Sequence, residues 1–398
     1  MIDYSSLLSG KVQEIKPSGI RKFSELAAEM GNVISLGVGE PDFQTPWAIR
    51  QAGIESLERG RTHYSPNAGF RELKQEIDRY LERRMGLSYS EEETMVTIGG
   101  SEAIDMMIRA VIDPGDEVLI PEPCYVSYDP IARLTGAKVV SIPTRFEDDF
   151  RLTAEALKAA ITPKSKLLIF PYPNNPTGGI MEREDLEAIA EVLRDTNILV
   201  LSDEIYAELT YGGKKHVSIA SIDGMRERTI VVNGFSKTYA MTGWRLGYAV
   251  GPAPLIREMI KIHQFAIMCA PTTSQLAAVE ALRSCDEEIE AMRDEYDMRG
   301  KYLVGELNRI GLECFQPQGA FYVFPSIRRT GLSSEEFCER LLREERVAVI
   351  PGSAFGGWGE GHIRISYCYS LQHLKIAVRK IEKFLKKLER EKHENGQG

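Results

Sequence analysis

The chain has 398 residues, 43% of them hydrophobic and 27% charged, a balance that excludes disordered and collagen-like classes. Its 49 basic and 58 acidic residues leave a formal charge of −9, which argues against a nucleic-acid partner, because such a partner needs a net basic face. A local cationic pocket for a small anion stays possible. No apolar run approaches the about 18 residues of a membrane helix. The opening MIDYSSLLSG lacks the basic and apolar regions of a signal peptide. Six cysteines are scattered without a C-x-x-C pair, and the six histidines are equally dispersed. The expectation is a reduced, cytoplasmic protein with free thiols and no metal site.

Residues 19–30 place Ile20, Phe23, Leu26 and Ala27 on one side of a helix, which Gly31 ends. A short strand at 33–36 and a turn at 37–42 follow. Residues 70–85 form an amphipathic helix. A β-branched run at 94–98 ends at Gly99-Gly100, and Ser101 opens an apolar helix to residue 112. Further apolar strands read at 117–120, 138–142, 166–170, 198–201, 229–233 and 246–250. Continuous apolar strands separated by helices predict an α/β fold with a mostly parallel seven-stranded sheet sandwiched by helices.

Past residue 285 the pattern changes to a charged helix at 285–310, short strands at 319–324, 347–351 and 362–367, and helices at 333–343 and from 371 onward. This predicts a smaller α+β domain, closed by a polar helix end and a frayed tail. The expected division is an arm and part of the small domain at 1–45, a large domain at 46–285 and a small C-terminal domain at 286–398.

Ligands of such a sheet bind outside the carboxyl ends of its strands. Gly99-Gly100-Ser101-Glu102 lies at one end, Pro171-Tyr172-Pro173-Asn174-Asn175-Pro176-Thr177-Gly178 at another. Ser202-Asp203-Glu204-Ile205-Tyr206 and Asn233-Gly234-Phe235-Ser236-Lys237 lie at two more. Taken singly these are turns and helix caps. Gly37-x-Gly39 is no dinucleotide fingerprint, because Pro41 follows and no third glycine arrives. Their conjunction with Arg245, in Met241-Thr242-Gly243-Trp244-Arg245, and with Arg364, in Ile363-Arg364-Ile365-Ser366-Tyr367, is what carries information.

From Gly37-Val38-Gly39-Glu40-Pro41-Asp42-Phe43 to Arg364, motifs and spacing resemble the pyridoxal-phosphate-dependent aminotransferases of fold type I, class I/II. The aspartate/aromatic subgroup is the most similar. The resemblance implies a small domain built from both chain ends. It implies that Lys237 is the catalytic lysine, whose amine condenses with the aldehyde of pyridoxal 5'-phosphate and later moves protons. Asp203 then pairs with the ring nitrogen. Asn175 and Tyr206 bond the phenolic oxygen, and Tyr125 covers the ring. Arg245, the amides of Gly100, Ser101 and Glu102, and the Ser236 hydroxyl hold the phosphate. Gly234 departs from the pattern, since many relatives carry a phosphate-binding serine there.

On the substrate side, the same resemblance assigns the α-carboxylate to Arg364, Gly39 and Asn175. It implies a homodimer in which Tyr64 reaches the phosphate of the neighbouring subunit. Arg245 and Arg364 are expected to be buried, each facing an anion. The implied activity is ping-pong transamination between small-molecule amino acids and 2-oxo acids, with aspartate or aromatic donors and 2-oxoglutarate as acceptor; alanine stays open as a donor. A C–S β-lyase on the same electron sink is the alternative. A non-catalytic regulator would need an added DNA-binding domain, for which the early start of the fold leaves no room. Arg21 and Arg109 are the first cations to inspect for a side-chain carboxylate, and Ile20, Phe23 and Tyr64 for an aromatic wall.

Overall fold

The computed structural model describes residues 2–17 and 19–395. The described residues form twelve strands: β1 (Ile34–Ser35), β2 (Thr94–Thr97), β3 (Glu117–Glu122), β4 (Lys138–Pro143), β5 (Ser165–Phe170), β6 (Leu199–Asp203), β7 (Thr229–Gly234), β8 (Gly247–Val250), β9 (Tyr322–Val323), β10 (Val347–Ala348), β11 (Ile350–Pro351) and β12 (Ile363–Ser366). Seven of them form one sheet in the order β2-β8-β7-β6-β5-β3-β4. The strands from β4 to β7 along this order run parallel, and β8 alone is antiparallel to both its neighbours, β2 and β7.

The apolar runs are continuous because both faces of the sheet are covered. On β7, Val231 packs into one core with Ile77, Phe235 and Leu282, while Ile230 and Val232 pack into another with Met107, Ile169 and Ile256. Successive side chains of one strand thus feed opposite layers, as the two-residue period of a strand requires. The first layer contains helices Arg71–Met85 and Thr272–Ser284, the second Gly99–Val111 and Ala253–Ala266. Gly86, at φ 66°, closes helix Arg71–Met85 in the left-handed conformation that glycine adopts without strain.

Some boundaries move from their expected places. The helix expected to open at Ser101 starts at Gly99, because Gly99 takes φ +73° and turns the chain straight out of β2. The strand expected at 33–36 keeps only Ile34 and Ser35. The run at 347–351 is two strands in different sheets, β10 pairing with β1 and β11 with β12. The break falls at Val349.

Beyond the large sheet, β11, β12 and β9 form an antiparallel three-stranded sheet. The parallel pair β1–β10 aligns Ile34 with Val347 and Ser35 with Ala348. One core joins Phe23 and Leu36 to Leu303, Phe321, Phe337, Ile365 and Phe384, so both chain ends build the smaller α+β part. The last helix, Leu371–Asn395, continues through most of the tail expected to fray; residues 396–398 lie outside the described residues. Among the described residues no helix is long and apolar enough to cross a membrane.

Gly247 lets the start of helix Gly99–Val111 lie directly on the sheet. A β-carbon there would sit 2.7 Å from the Gly99 carbonyl carbon and 2.8 Å from the Gly100 nitrogen. Backbone cannot yield as a side-chain tip can. Gly247→Ala is therefore expected to destabilise the protein by about 1–3 kcal/mol, as overpacking does, measured by urea unfolding. A stability equal to wild type would show that the turn is not held there.

Candidate active site

The carboxyl ends of the parallel strands open into a cavity of about 1350 Å³. Asp203 ends β6. Its Oδ2 accepts from the Tyr128 hydroxyl at 2.6 Å and its Oδ1 from the Ile205 amide at 3.2 Å. Burial pushes its pKa above the usual carboxylate range, because neutral donors compensate a buried anion only partly. Lys237 follows β7 in the helical turn Phe235–Thr238. Its Nζ donates to the Gly39 carbonyl at 2.6 Å, and burial pulls its pKa down to about 8.

Arg364, on β12, is 2% exposed. Its Nη1 donates to Asn175 Oδ1 at 2.9 Å and its Nη2 to the Gly37 carbonyl. Its Nε has no partner among the described residues. The guanidinium lies 4.5 Å from the Tyr322 ring and 4.8 Å from Phe355. Neither hydrogen-bond partner is acidic, so this buried cation awaits an anion.

At the far side Arg245 turns with φ +52°, and its Nη1 donates to the Thr242 carbonyl at 3.0 Å. Its Nη2 lies 2.8 Å from where a β-carbon on Gly99 would be. Only glycine lets the guanidinium rest against the first turn of helix Gly99–Val111, whose early N–H groups lack intrahelical acceptors. Gly100, Ser101 and Ser236 line the same corner. Arginine, hydroxyls and free amides together form an anion cradle.

Pyridoxal phosphate asks for an amine of low basicity, an acid for its ring nitrogen, donors for its phenolic oxygen and a phosphate cradle. The residues fit. Lys237 is such an amine, the donors to Asp203 are only a hydroxyl and an amide, and the Gly99 turn leaves the room the cradle needs.

Most of the expected site residues meet here: Gly39, Gly100, Ser101, Tyr125, Asn175 and Asp203 line the cavity, as do Tyr206, Ser236, Lys237, Arg245 and Arg364. Two expectations fail, those for Arg245 and Phe23, while Glu102 and Arg109 spend their side chains elsewhere. Glu102 does not line the cavity; its carboxylate accepts the Ile98 amide and pairs with His263 Nδ1 at 2.7 Å, steadying the helix start. Arg245 is exposed in this single chain rather than buried, since its turn sits at the rim. Phe23 is 1% exposed inside a core and offers no wall. Arg109 pairs with Asp105 one helical turn away, at 2.8 Å, instead of facing a ligand. Arg21 does line the cavity. Tyr64 is 80% exposed and does not reach the cavity of its own chain.

Three contributors were missed: Gly99, Tyr128 and Tyr322. Tyr128 stands three residues after Tyr125 and opens helix Tyr128–Thr135. Tyr322 carried no signal in the sequence, because its partners are distant in the chain: its hydroxyl lies 2.9 Å from that of Tyr206.

The family model for class I and II aminotransferases matches residues 31–381. The chain is 46% identical over 384 residues to an aspartate aminotransferase of Pyrococcus abyssi, covering 95% of this chain and 98% of the relative. It is 44% identical over 384 residues to aromatic-amino-acid aminotransferase 2 of Thermococcus litoralis, with 95% and 98% coverage. Among solved structures, the aspartate aminotransferase of Thermus thermophilus with maleate is similar at a TM-score of 0.91 and 37% identity, covering 94% of this chain and 99% of that one.

The depressed Lys237 pKa has a direct readout. Below about 8 its amine is protonated and inert; above, it is neutral and nucleophilic. In cofactor-free protein, competitive acetylation of Lys237 is expected to rise with pH through a midpoint near 8, while surface lysines follow near ~10.4. A Lys237 midpoint among the surface lysines would contradict the burial argument.

Proposed function

The chain belongs to the class I and II aminotransferases and depends on pyridoxal phosphate, and on that premise we propose that it transfers the amino group of aspartate and of aromatic amino acids to 2-oxoglutarate in a ping-pong cycle. The observation that carries this reading is that Lys237, Asp203, Arg245 and Arg364 face one cavity. When bound, the cofactor supplies an aldehyde and a ring that draws electrons from the substrate α-carbon.

Lys237 holds the proton. Its amine, kept near a pKa of about 8 by burial, can take a proton from the α-carbon and return one. Asp203 holds the ring nitrogen in its cationic form, and the bonds from Tyr128 and Ile205 aim its two oxygens. Asn175 spends its Oδ1 on Arg364, which leaves its amide N–H groups for the phenolic oxygen beside Tyr206. Tyr125, set edge-on to Tyr128 with centroids 5.6 Å apart, covers the ring. Arg245, Ser236 and the amides of Gly100 and Ser101 hold the phosphate.

Arg364 binds the α-carboxylate through its remaining N–H groups, beside Gly39. The same cavity offers Arg21 to a side-chain carboxylate, and Ile20 and Val126 to an aromatic ring. These walls, and the names of the aspartate and aromatic relatives, support both donor classes.

The assembly in this reading is a cytoplasmic homodimer with Tyr64 directed at the partner's phosphate. Tyr64 sits in a loop tied to the 268–272 segment by the bonds Asn67 Nδ2 to the Met268 carbonyl (2.6 Å) and Thr272 Oγ1 to the His63 carbonyl (2.7 Å). Met268 exposes apolar surface at this tie, as an interface does.

Two variants and a substrate panel test the proposal. Lys237→Ala is expected to lower turnover by about 10²–10⁴-fold or more; a wild-type rate would sink it. Arg364→Leu is expected to raise KM for every donor about tenfold or more, the value of a charge-assisted hydrogen bond. Aspartate and phenylalanine should each bleach the bound cofactor, and 2-oxoglutarate should restore its colour. Release of pyruvate and ammonia from cystathionine, without any oxo acid, would assign the lyase chemistry instead.

A further inference from the structure

We propose that Tyr322 is a positioning residue of this site, its hydroxyl aiming that of Tyr206 and its ring bracing Arg364. The inference rests on the assignment of Tyr206 to the phenolic oxygen made above. Tyr322 lies on β9, where the pairing of Tyr322 with Ser366 and of Val323 with Ile365 places it beside the strand that carries Arg364. Its ring lies 4.5 Å from the guanidinium carbon. A cation over an aromatic face is attracted most strongly where water is excluded, and Tyr322 is 1% exposed and Arg364 2%.

The hydroxyl does separate work. It stands 2.9 Å from the Tyr206 hydroxyl, with the two rings nearly perpendicular at 82°. Burial raises the pKa of both phenols, so both keep their protons. Two protons share one mutual bond, and one O–H is left over. Tyr322 presses its hydroxyl into the slot where Gly39 lacks a side chain. The Gly39 carbonyl already accepts from Lys237. The two hydroxyls can bond in either sense; in the proposed arrangement Tyr322 donates to the Tyr206 oxygen, which leaves the Tyr206 proton for the phenolic oxygen. A hydroxyl that accepts a hydrogen bond is a stronger donor in turn. Any side chain at Gly39 would evict the Tyr322 hydroxyl.

The test uses holoenzyme carrying Tyr206→Phe, Tyr322→Phe or Tyr322→Leu, with thermal melts to confirm folding. The readouts are the pH midpoint of the bound cofactor's visible absorbance and KM for an amino donor. A phenolic oxygen that loses donor strength holds its neighbouring proton more firmly, so the midpoint rises. Tyr206→Phe is expected to raise it, and Tyr322→Phe to raise it by a smaller step, up to about 0.7 unit. Tyr322→Phe keeps the ring and should leave KM within about twofold, whereas Tyr322→Leu should raise KM about threefold or more. A midpoint moved by Tyr206→Phe and untouched by Tyr322→Phe overturns the inference and leaves the role of Tyr206 standing. A midpoint untouched by both overturns the two together. Equal KM in Tyr322→Phe and Tyr322→Leu overturns the bracing of Arg364. If Tyr322→Leu does not fold, the Tyr322→Phe midpoint decides alone.

Discussion

The 2.6 Å bond from the Lys237 amine to the Gly39 carbonyl joins the end of β7 to the loop that leads out of β1. Much of the site follows from it. The bond brings the N-terminal loop over the mouth of the large sheet, and the same loop accepts Arg364 Nη2 at Gly37. The two cationic side chains are therefore held by neutral carbonyls of one short segment. A carbonyl orients an amine without cancelling its charge, so the lysine stays poorly solvated and of low basicity.

That pattern recurs around the cavity. Asp203 takes its hydrogen bonds from a hydroxyl and an amide, Arg364 donates to an amide oxygen and a carbonyl, and Arg245 donates to a carbonyl. Elsewhere the chain pairs its charges: Arg84 with Glu208 at 2.6 Å, Arg299 with Asp42 at 2.8 Å. Burying a charge beside neutral partners alone costs stability, and that cost is concentrated where the ligands of an aminotransferase bring opposite charges. The cationic ring nitrogen suits Asp203, the carboxylate suits Arg364 and the phosphate suits Arg245.

Much of this was legible before any coordinates. The seven strands could be found because each is an apolar run walled on both faces, and burial leaves a strong mark on composition. The residues of the site sit at the strand ends, Asp203 ending β6 and Lys237 following β7, but taken singly they read as a helix cap and a loop residue; the resemblance of their joint spacing to a known family is what assigned their roles. Glu102 lies on the same helix as the cradle, yet it is captured by His263, which sequence spacing does not announce, whereas Arg109 pairs with Asp105 at the i, i+4 spacing of a helix surface. Phe23 was expected at a wall and lies in a core, because the helix face it shares with Ala27 packs inward.

Length, composition and charge bounded an acidic chain, apolar periodicity predicted one large sheet, and the resemblance of motifs and spacing to a known family assigned a lysine, an acid and two arginines. Strand periodicity is a local rule, a property of neighbours along the chain. Only the tertiary structure decided that Gly99 starts the helix, that Arg364 is buried among neutral partners while Arg245 stands at the rim, and that Tyr322 stands between Tyr206 and Arg364. Tyr322 and Tyr206 are 116 positions apart, and Arg364 lies 189 and 327 positions from its partners Asn175 and Gly37; the net charge of −9 says nothing of such contacts. Charge summed over a chain describes its surface, whereas the chemistry depends on a few groups whose solvation is set by what folds over them.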